Sequence, residues 1–190
     1  MEIKFKKIRI RNFRGLVSFE ANLEGRSVRI SGANGLGKSS VADAITWVLF
    51  GKDSRRRTAF PIDPVDDEGR IIHNLDVSVE LQMLIDGQPT TLRRRRSEKW
   101  VQKRGMTREQ LDGHQTTCYI DGRPLPSSDF SSHVDTIVKE ELFRALTTPD
   151  YFPSLPMDQQ YRLLVKIVGT RTLAEIAAKD EEALKVVDEL

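Results

Sequence analysis

One short segment near the start of the chain has the residue types and spacing that bind phosphate groups. Residues 32–39 are Gly-Ala-Asn-Gly-Leu-Gly-Lys-Ser, which matches the pattern G-x-x-x-x-G-K-[ST] of the phosphate-binding loop, or Walker A motif. Its glycines allow the backbone to turn tightly and to bring N–H groups close to phosphate oxygens. Lys38 supplies a positive charge for the β- and γ-phosphates, and the Ser39 hydroxyl is suited to the accompanying Mg²⁺. The pattern predicts a nucleoside triphosphate site, with a glycine-rich surface turn as the alternative.

The elements that must position this loop are a strand before it and a helix after it. Residues 27–31 (Ser-Val-Arg-Ile-Ser) alternate in polarity, which predicts a short strand leading into the loop. Residues 39–50 are mostly apolar and predict a buried helix, with Gly51 at the position of a C-cap. The loop would then lie at a helix N-terminus, where unpaired N–H groups and the helix dipole favour an anion.

The rest of the chain divides into a β-rich first part and a helical last part. Two alternating runs on either side of Asp86-Gly87 predict a β-hairpin over about 75–101. Residues 52–70 show no period and contain two prolines and a glycine, which predicts a long loop. We expect strands over 3–10 (with an irregularity near Lys6-Lys7), 16–23, 27–31, 77–85, 90–101 and 118–120, and helices over 39–50, 131–146, 157–168 (ended by Gly169) and 172–190.

The last predicted helix contains a short coiled-coil pattern. The spacing of its apolar residues alternates between three and four, as in a heptad repeat. The run is short and includes an aspartate, so an ordinary amphipathic helix is an equal alternative. We assign residues 1–170 to one lobe and 171–190 to the start of a helix that could lead into a coiled coil. The heptad positions are Leu173, Ile176, Asp180, Ala183, Val187 and Leu190.

The composition is that of a soluble domain with one core. The chain has 190 residues, of which 38% are hydrophobic and 31% are charged. No apolar stretch approaches the length of a membrane span, and the first residues lack a signal segment, so we expect a cytoplasmic location. The single cysteine, Cys118, cannot form an internal disulfide, and its strand-like surroundings predict a structural residue.

Positive charge is concentrated in three clusters, although the net charge is only +2. Such clusters suit the phosphate backbone of a nucleic acid, bound without sequence preference. The alternative for each cluster is a solvated strand face. The clusters are Lys4, Lys6, Lys7, Arg9, Arg11 and Arg14; Arg55, Arg56 and Arg57; and Arg93, Arg94, Arg95, Arg96, Lys99, Lys103 and Arg104.

Four segments together resemble the SMC-like ATPases. They are Ile-Arg-Ile-Arg-Asn-Phe-Arg-Gly at 8–15, Lys-Ser-Ser-Val-Ala-Asp-Ala-Ile at 38–45, Leu-Thr-Thr-Pro-Asp-Tyr-Phe at 146–152, and the run from Gln159 to Gly169. This ABC-type branch includes SMC proteins, RecF, RecN and SbcC-type double-strand-break repair ATPases, and the last two segments resemble SbcC-like members of bacteria and phages. The likeness covers the whole chain as the N-terminal half of a nucleotide-binding head. In the family, a coiled coil follows, and a C-terminal half returns to complete the head.

This resemblance implies a fold and a set of ligands. The fold is an α/β P-loop NTPase of the ABC/SMC head type, here an N-terminal lobe with an antiparallel hairpin subdomain and the start of a coiled-coil helix. The ligands are ATP and Mg²⁺, with Ser39 on the metal. Arg14 matches a position close to the nucleotide, with a surface turn arginine as its alternative, and residues 58–70 would lie near the base or ribose. The implied nucleotide-binding residues are Gly32, Asn34, Gly35, Leu36, Gly37, Lys38, Ser39, Ser40 and Arg14.

The motifs that this family uses for turnover are missing from the sequence. The Q-loop glutamine should fall at 147–152, where no glutamine occurs, and Gln159 and Gln160 come later on a predicted helix. A strand ending in adjacent carboxylates and a Leu-Ser-Gly-Gly-type signature segment are also missing. We therefore expect no catalytic residue in this chain, no turnover by the chain alone, and ATPase activity only after completion by a C-terminal half.

The resemblance also implies partners. These are the C-terminal half of the same head, a second head that closes on the nucleotide, DNA without sequence preference, and an SbcD-type nuclease, in the nucleoid of the cytoplasm. Two other hypotheses remain open. One is a self-contained P-loop nucleotide or small-molecule kinase, and the other is a non-hydrolysing P-loop protein that serves assembly.

Overall fold

An antiparallel sheet forms the frame of the first part of the chain. The computed structural model describes residues 1–66, 68–102 and 109–169, and the chain forms two compact units, 1–139 and 140–190. The first unit contains β1 (Ile3–Phe13), β2 (Leu16–Asn22), α1 (Lys38–Phe50), β3 (Val77–Ile85), β4 (Gln88–Val101), β5 (Gln110–Ile120), β6 (Arg123–Leu125) and α2 (Ser127–Ile137). The strand order is β2-β1-β3-β4-β5-β6, and every neighbouring pair is antiparallel.

The alternating strands form the sheet because one face of each is apolar. In β3, every second residue from Val77 to Met83 is buried, and the residues between them are polar or face outward. The predicted hairpin is confirmed: Asp86 and Gly87 join β3 to β4, both with positive φ as a two-residue hairpin turn requires. The predicted irregularity in β1 is also confirmed, as a register shift between Phe5 and Lys7.

Helix α1 packs on the apolar face of this sheet. Ala44 and Val48 have no exposed surface, and the Trp47 ring lies 5.4 Å from that of Phe13 in β1. The helix ends at Gly51, whose φ of 71° is left-handed and whose N–H donates to the Trp47 carbonyl over 2.8 Å. The predicted helix and its glycine C-cap are therefore confirmed.

The strand expected over 27–31 is not present. These residues have neither strand nor helix geometry, and Val28 and Ile30 are 50% and 42% exposed. A strand is defined by hydrogen bonds to a neighbour, and within the described part of the chain no other strand bonds to the backbone of 27–31. The residues alternate in polarity as in a strand, but no strand in the described part of the chain pairs with them.

The helical part differs from the single helix expected over 131–146. Helix α2 ends at Ile137, Val138 is extended with φ of −154°, and α3 (Glu140–Thr147) begins anew. The β-branched pair at 137–138 disfavours continued helix, although only mildly. The long irregular segment 52–70 agrees with expectation, and Cys118 is fully buried in β5 as predicted.

The described residues of the second unit, 140–169, form short helices. They are α3, α4 (Tyr151–Ser154) and α5 (Met157–Val168), and α5 is followed by Gly169 as predicted. The predicted helix over 172–190, with its heptad positions, lies outside the described residues. Among the described helices, none is both long and apolar enough to cross a membrane.

Candidate phosphate-binding site

The glycine-rich loop has the backbone that its sequence predicts. Gly35 and Gly37 have positive φ values of 87° and 80°, which L-residues with side chains rarely adopt, and α1 begins directly afterwards at Lys38. A Cβ placed on Gly37 would lie 2.6 Å from Leu16 Cδ2, so the start of β2 also excludes a side chain there. Gly32 does not have a positive φ, so residues with side chains can also adopt its backbone conformation.

Lys38 closes the loop on itself. Its ammonium group donates to the carbonyls of Gly32 and Ala33 over 2.8 and 2.6 Å. Among the described residues, no carboxylate lies within ion-pair distance of Lys38. The charge is therefore held beside the exposed loop without a compensating acid, which is the arrangement an anionic ligand requires.

Arg14 is held next to α1 by a buried carboxylate. Its guanidinium donates to Asp43 Oδ2, and Asp43 has a side chain that is 5% exposed. The other oxygen of Asp43 accepts hydrogen bonds from the N–H and the hydroxyl of Ser54, over 2.9 and 2.5 Å. Arg14 lies in the turn between β1 and β2, with a φ of 48° and its N–H bonded to the Ile62 carbonyl. Asp43 therefore joins that turn, the phosphate-loop helix and the segment that follows the helix.

A second buried carboxylate shapes the segment after α1. Asp53 has no exposed surface, and its side chain accepts from the N–H groups of Arg55 and Arg57 and from the Arg57 guanidinium over 2.7 Å. Burial acts to raise the pKa of Asp53, but the hydrogen bonds from the backbone and side chain of Arg57 outweigh it, so the pKa lies below its ordinary value. Arg55 and Arg57 both lie in the turn that results.

These groups surround a cavity of about 210 Å³ at the N-terminal end of α1. The helix N-terminus, the arginines and the hydroxyl groups are all suited to an anion that accepts hydrogen bonds. Ser39 is the second residue of α1, so its hydroxyl lies where Mg²⁺ beside a bound phosphate could be coordinated. The lining side chains are Arg14, Ser39, Ser40, Asp43, Ser54, Arg55 and Arg57.

The structure brings together part of the predicted site. Arg14 lies with Ser39 and Ser40 around the cavity. The described residues of 58–70 do not line it, but two of them lie beside Arg14: the Ile62 carbonyl accepts from its N–H, and the Phe60 ring centre is 5.9 Å from its guanidinium. In the second unit, the Gln160 amide donates to the Leu155 carbonyl over 2.7 Å. The roles assigned to Asn34, Leu36 and the other loop residues remain predictions.

Sequence reasoning missed the two carboxylates that organise this site. Asp43 lies four residues after Ser39, so both are on one face of α1, and this spacing could have pointed to it. Asp53 precedes Arg57 by four residues in a segment without periodicity, where no general pattern predicts a turn closed by an aspartate.

The arginine of β4 opposite this helix has a structural position. Arg94 is 8% exposed, and its guanidinium lies 5.8 Å from the Trp47 ring and 5.2 Å from the Phe130 ring. Its Nε points at the Val48 carbonyl near the C-terminal end of α1, at 3.5 Å. Burial lowers the pKa of Arg94. A cation at this end complements the helix dipole, so Arg94 supports α1 and does not face solvent.

Comparison with known proteins identifies the domain family of the chain. A family model described as AAA domain matches residues 7–166. The DNA double-strand break repair Rad50 ATPase of Methanocaldococcus jannaschii is 34% identical over 87 residues, which is 46% of this chain and 8% of that protein. This chain thus matches a small part of that relative.

Solved structures show the same fold at low identity. A chain from a study of ATP-driven dimerization and DNA-stimulated activation of SMC ATPases matches 93% of this chain and 98% of its own length, with 18% identity and a TM-score of 0.50. The Smc head domain of Pyrococcus furiosus, with an extended coiled coil and bound to the C-terminal domain of ScpA, matches 99% of this chain and 46% of its own length. Its identity is 19% and its TM-score 0.50.

Proposed function

The chain belongs to the AAA domain family and has the fold of an SMC head, and on that premise we propose that it is the ATP-binding N-terminal half of the head of an SMC-like DNA repair or chromosome ATPase. The observation that carries the proposal is the geometry at the start of α1. Gly35 and Gly37 form the tight loop, the Lys38 ammonium has no carboxylate partner among the described residues, and the cavity beside Ser39 is lined by arginines. These features are complementary to a triphosphate.

Within this site the residues have separate roles. Lys38 and the helix N-terminus would bind the β- and γ-phosphates, and Arg14 would approach the nucleotide from the β1–β2 turn, oriented by Asp43. Ser39 would hold Mg²⁺, which neutralises phosphate charge when it is bound. The roles of Lys38, Ser39 and Arg14 rest on their placement at the loop and on the resemblance together.

We infer completion by a second segment from the exposed segment 27–31, which has no strand partner among the described residues. Val28 and Ile30 lie with Ile45 of α1 along an apolar groove of about 380 Å³. Burying such side chains is favourable by about 1.5–3 kcal/mol each, and backbone N–H and C=O groups that lack a strand partner pair readily with an added strand. We assign this groove to the C-terminal half of the same head. That half would also supply the acidic residues that position water and metal for hydrolysis.

The larger assembly belongs to the same proposal. The SMC relative is described as undergoing ATP-driven dimerization and DNA-stimulated activation, and the Rad50 relative as a DNA double-strand break repair ATPase. We propose by analogy that two completed heads close around ATP, that DNA is bound without sequence preference, and that an SbcD-type nuclease is a partner. Turnover would require the completed, paired heads.

The proposal is tested by Lys38→Ala in the completed head. Losing a charged donor to the phosphates should weaken ATP binding by at least about a hundredfold, since hydrogen bonds to charged groups contribute about 1.5–3 kcal/mol each. Isothermal titration calorimetry measures the affinity, and Lys99→Ala is the matched control because Lys99 lies on β4 and pairs with Asp112. The chain alone should show no ATPase activity above the Lys38→Ala protein.

Two outcomes would contradict the proposal. If the Lys38→Ala head retained its ATP affinity, the loop would not be the nucleotide site. If the purified chain hydrolysed ATP by itself, it would have to contain a catalytic carboxylate, and a self-contained P-loop enzyme would become the better description.

A further inference from the structure

Three arginines line the cavity at the N-terminal end of α1, and two of them are paired with a carboxylate. The Arg14 guanidinium donates to Asp43, and the Arg57 guanidinium donates to Asp53 over 2.6 Å. The side chain of Asp43 is 5% exposed, and that of Asp53 has no exposed surface. Each of these two guanidinium groups is held by the acid beside it, so its charge is compensated in part before any ligand binds.

The third arginine of this cavity, Arg55, differs from the other two. Arg55 is exposed, and among the residues that the structure describes no carboxylate lies within ion-pair distance of its guanidinium. An uncompensated positive charge therefore remains at a cavity that Ser39 and Ser40, in the first turn of α1, also line. An anion in this cavity would gain from that charge without first breaking an ion pair.

Two buried carboxylates fix the backbone around Arg55. The preceding residue, Ser54, donates to Asp43 of α1 through its N–H and its hydroxyl, over 2.9 and 2.5 Å. At Arg55 itself, Asp53 accepts from the N–H groups of Arg55 and Arg57 over 3.0 and 2.8 Å, which closes a turn. The Arg55 side chain therefore begins from a fixed point beside α1, and this lowers the entropy that is lost when it contacts a ligand.

We propose that Arg55 is a further binding residue of the nucleotide site and contacts the phosphate chain of the ligand that the phosphate loop holds. A guanidinium donates paired hydrogen bonds to phosphate oxygens, and such bonds are strong because both partners are charged. Because Ser39 and Ser40 line the same cavity, a phosphate bound at the start of α1 lies in the space that Arg55 borders. The inference rests on the proposed function, since it takes this cavity to belong to a nucleotide site.

The placement of Arg55 divides a cluster whose members the sequence does not distinguish. Arg55, Arg56 and Arg57 are adjacent and of one residue type, and the sequence predicts a nucleic-acid contact for the whole cluster, with a solvated surface as the alternative. In the structure Arg57 is paired with Asp53, and Arg56 does not line the cavity. Arg55 is thus assigned to the nucleotide, and Arg56 provides a control of the same residue type in the same turn.

The test compares the binding of two ligands to the completed head. Isothermal titration calorimetry with excess Mg²⁺ gives the affinity for ATP and for inorganic tripolyphosphate, which has a phosphate chain but neither ribose nor base. Arg55→Gln should weaken the binding of both ligands by about tenfold, because it removes a charged hydrogen-bond donor from the phosphates. Arg56→Gln makes the same change of charge one residue later and should leave both affinities within about twofold of the wild type.

A second variant separates the charge of Arg55 from the shape of its guanidinium. Arg55→Lys keeps the positive charge but loses the paired donors, so its affinity for both ligands should fall between those of the wild type and of Arg55→Gln. Without ligand, the two Arg55 variants should melt at the same temperature as the wild type, because this exposed side chain has no ion pair among the described residues. That comparison separates the loss of a ligand contact from a loss of stability.

Each other outcome decides against the inference or against the proposed function. Unchanged ATP affinity in Arg55→Gln, while Lys38→Ala loses ATP, would remove Arg55 from the site and leave the proposed function in place. An equal loss in Arg56→Gln, a loss for ATP alone, or a lowered melting temperature of the Arg55 variants would also overturn the phosphate contact. If the wild type bound tripolyphosphate through Arg55 but did not bind ATP, the proposed function would be wrong and the phosphate contact of Arg55 would stand.

Discussion

The two sides of helix α1 differ in how completely they are packed. On the sheet side, Val48 meets strands whose inward side chains, such as Val79 and Leu81, have no exposed surface. On the loop side, Ile45 lies along an open apolar groove with the exposed Val28 and Ile30. The difference teaches that the antiparallel sheet completes its own core, whereas the segment leading into the phosphate loop lies along an open apolar groove.

Hydrogen bonding explains this contrast. Strands β1, β3, β4 and β5 each have neighbours on both edges, so their backbone groups are paired and their apolar faces are aligned over α1. Residues 27–31 have the alternation of a strand but no neighbour among the described strands. The predictions below test whether that difference in packing is also a difference in free energy.

The largest effect should come from the sheet side. Leu81→Ala removes a fully buried side chain and should reduce the free energy of unfolding of this chain by about 2–5 kcal/mol, because a cavity remains. Ile30→Ala, at a position that is 42% exposed, should cost less than about 1 kcal/mol in the same chain. Urea unfolding measures both.

In the completed head, the difference between these two variants should disappear. There Ile30→Ala should cost about as much as an ordinary core substitution, about 2–5 kcal/mol, since a second segment would cover it. An equal cost of Ile30→Ala in the chain alone would mean that the loop side is already packed, and the contrast between the two sides of α1 would be lost.

An intermediate effect on the free energy of unfolding is expected for the ion pair between Arg14 and Asp43 on the loop side of α1. Asp43→Asn keeps an acceptor for Ser54 but leaves the Arg14 guanidinium without its carboxylate. Breaking a fully buried pair costs about 3–5 kcal/mol, and Arg14 is 28% exposed, so we expect about 1–3 kcal/mol by chemical denaturation. Asp135→Asn, at an exposed ion pair with Lys139, is the control and should change the stability by less than about 0.5 kcal/mol.

A double-mutant cycle sharpens this result. Arg14→Gln combined with Asp43→Asn should cost less than the sum of the two single changes, because both remove the same interaction. Additive costs would mean that Arg14 and Asp43 do not stabilise each other, and that Arg14 is not positioned by this carboxylate.

The smallest effect concerns Asp53 and depends on pH. Its folded pKa lies below the ordinary value of 3.8 because the hydrogen bonds from Arg57 outweigh the effect of burial. A carboxylate of this kind stabilises the fold above its unfolded pKa, and that stabilisation is lost as the pH falls through the folded pKa. Asp53→Asn should therefore be less stable than the wild type at neutral pH, and the difference in melting temperature should shrink in acid. A difference in melting temperature between variant and wild type that stays the same at every pH would contradict this role.

Periodicity predicted most of the elements that frame the site. The alternation of β3, the turn at Asp86-Gly87 and the apolar run ended by Gly51 depend on local preferences, and the structure confirms them. The strand at 27–31 was predicted wrongly, because alternation reports a suitable side-chain pattern but not the presence of a pairing partner. The break at Val138 was missed because helix propensities differ too little to place a boundary.

Among the charged residues, too, some were predicted from the sequence and others were not. The sequence placed Lys38 and Ser39 at a helix N-terminus because a fixed motif specifies both the spacing and the turn. It could not separate the arginines of β4, which have one residue type and adjacent positions. Strand alternation sends Arg94 toward Trp47 and Phe130, and cross-strand neighbours give Arg95 a carboxylate and Arg93 an aromatic ring.

The amino-acid sequence by itself therefore determined the phosphate loop, the helix behind it, the hairpin and the resemblance to SMC-like ATPases, since these depend on residues that are close along the chain. Only the tertiary structure decided which buried acid holds Arg14, which arginines keep an uncompensated charge, and which side of α1 is still open. Those properties depend on contacts between residues that are distant in sequence, such as Asp43 with Arg14 and Arg93 with Tyr119, and packing and desolvation act on them only after the sheet has formed.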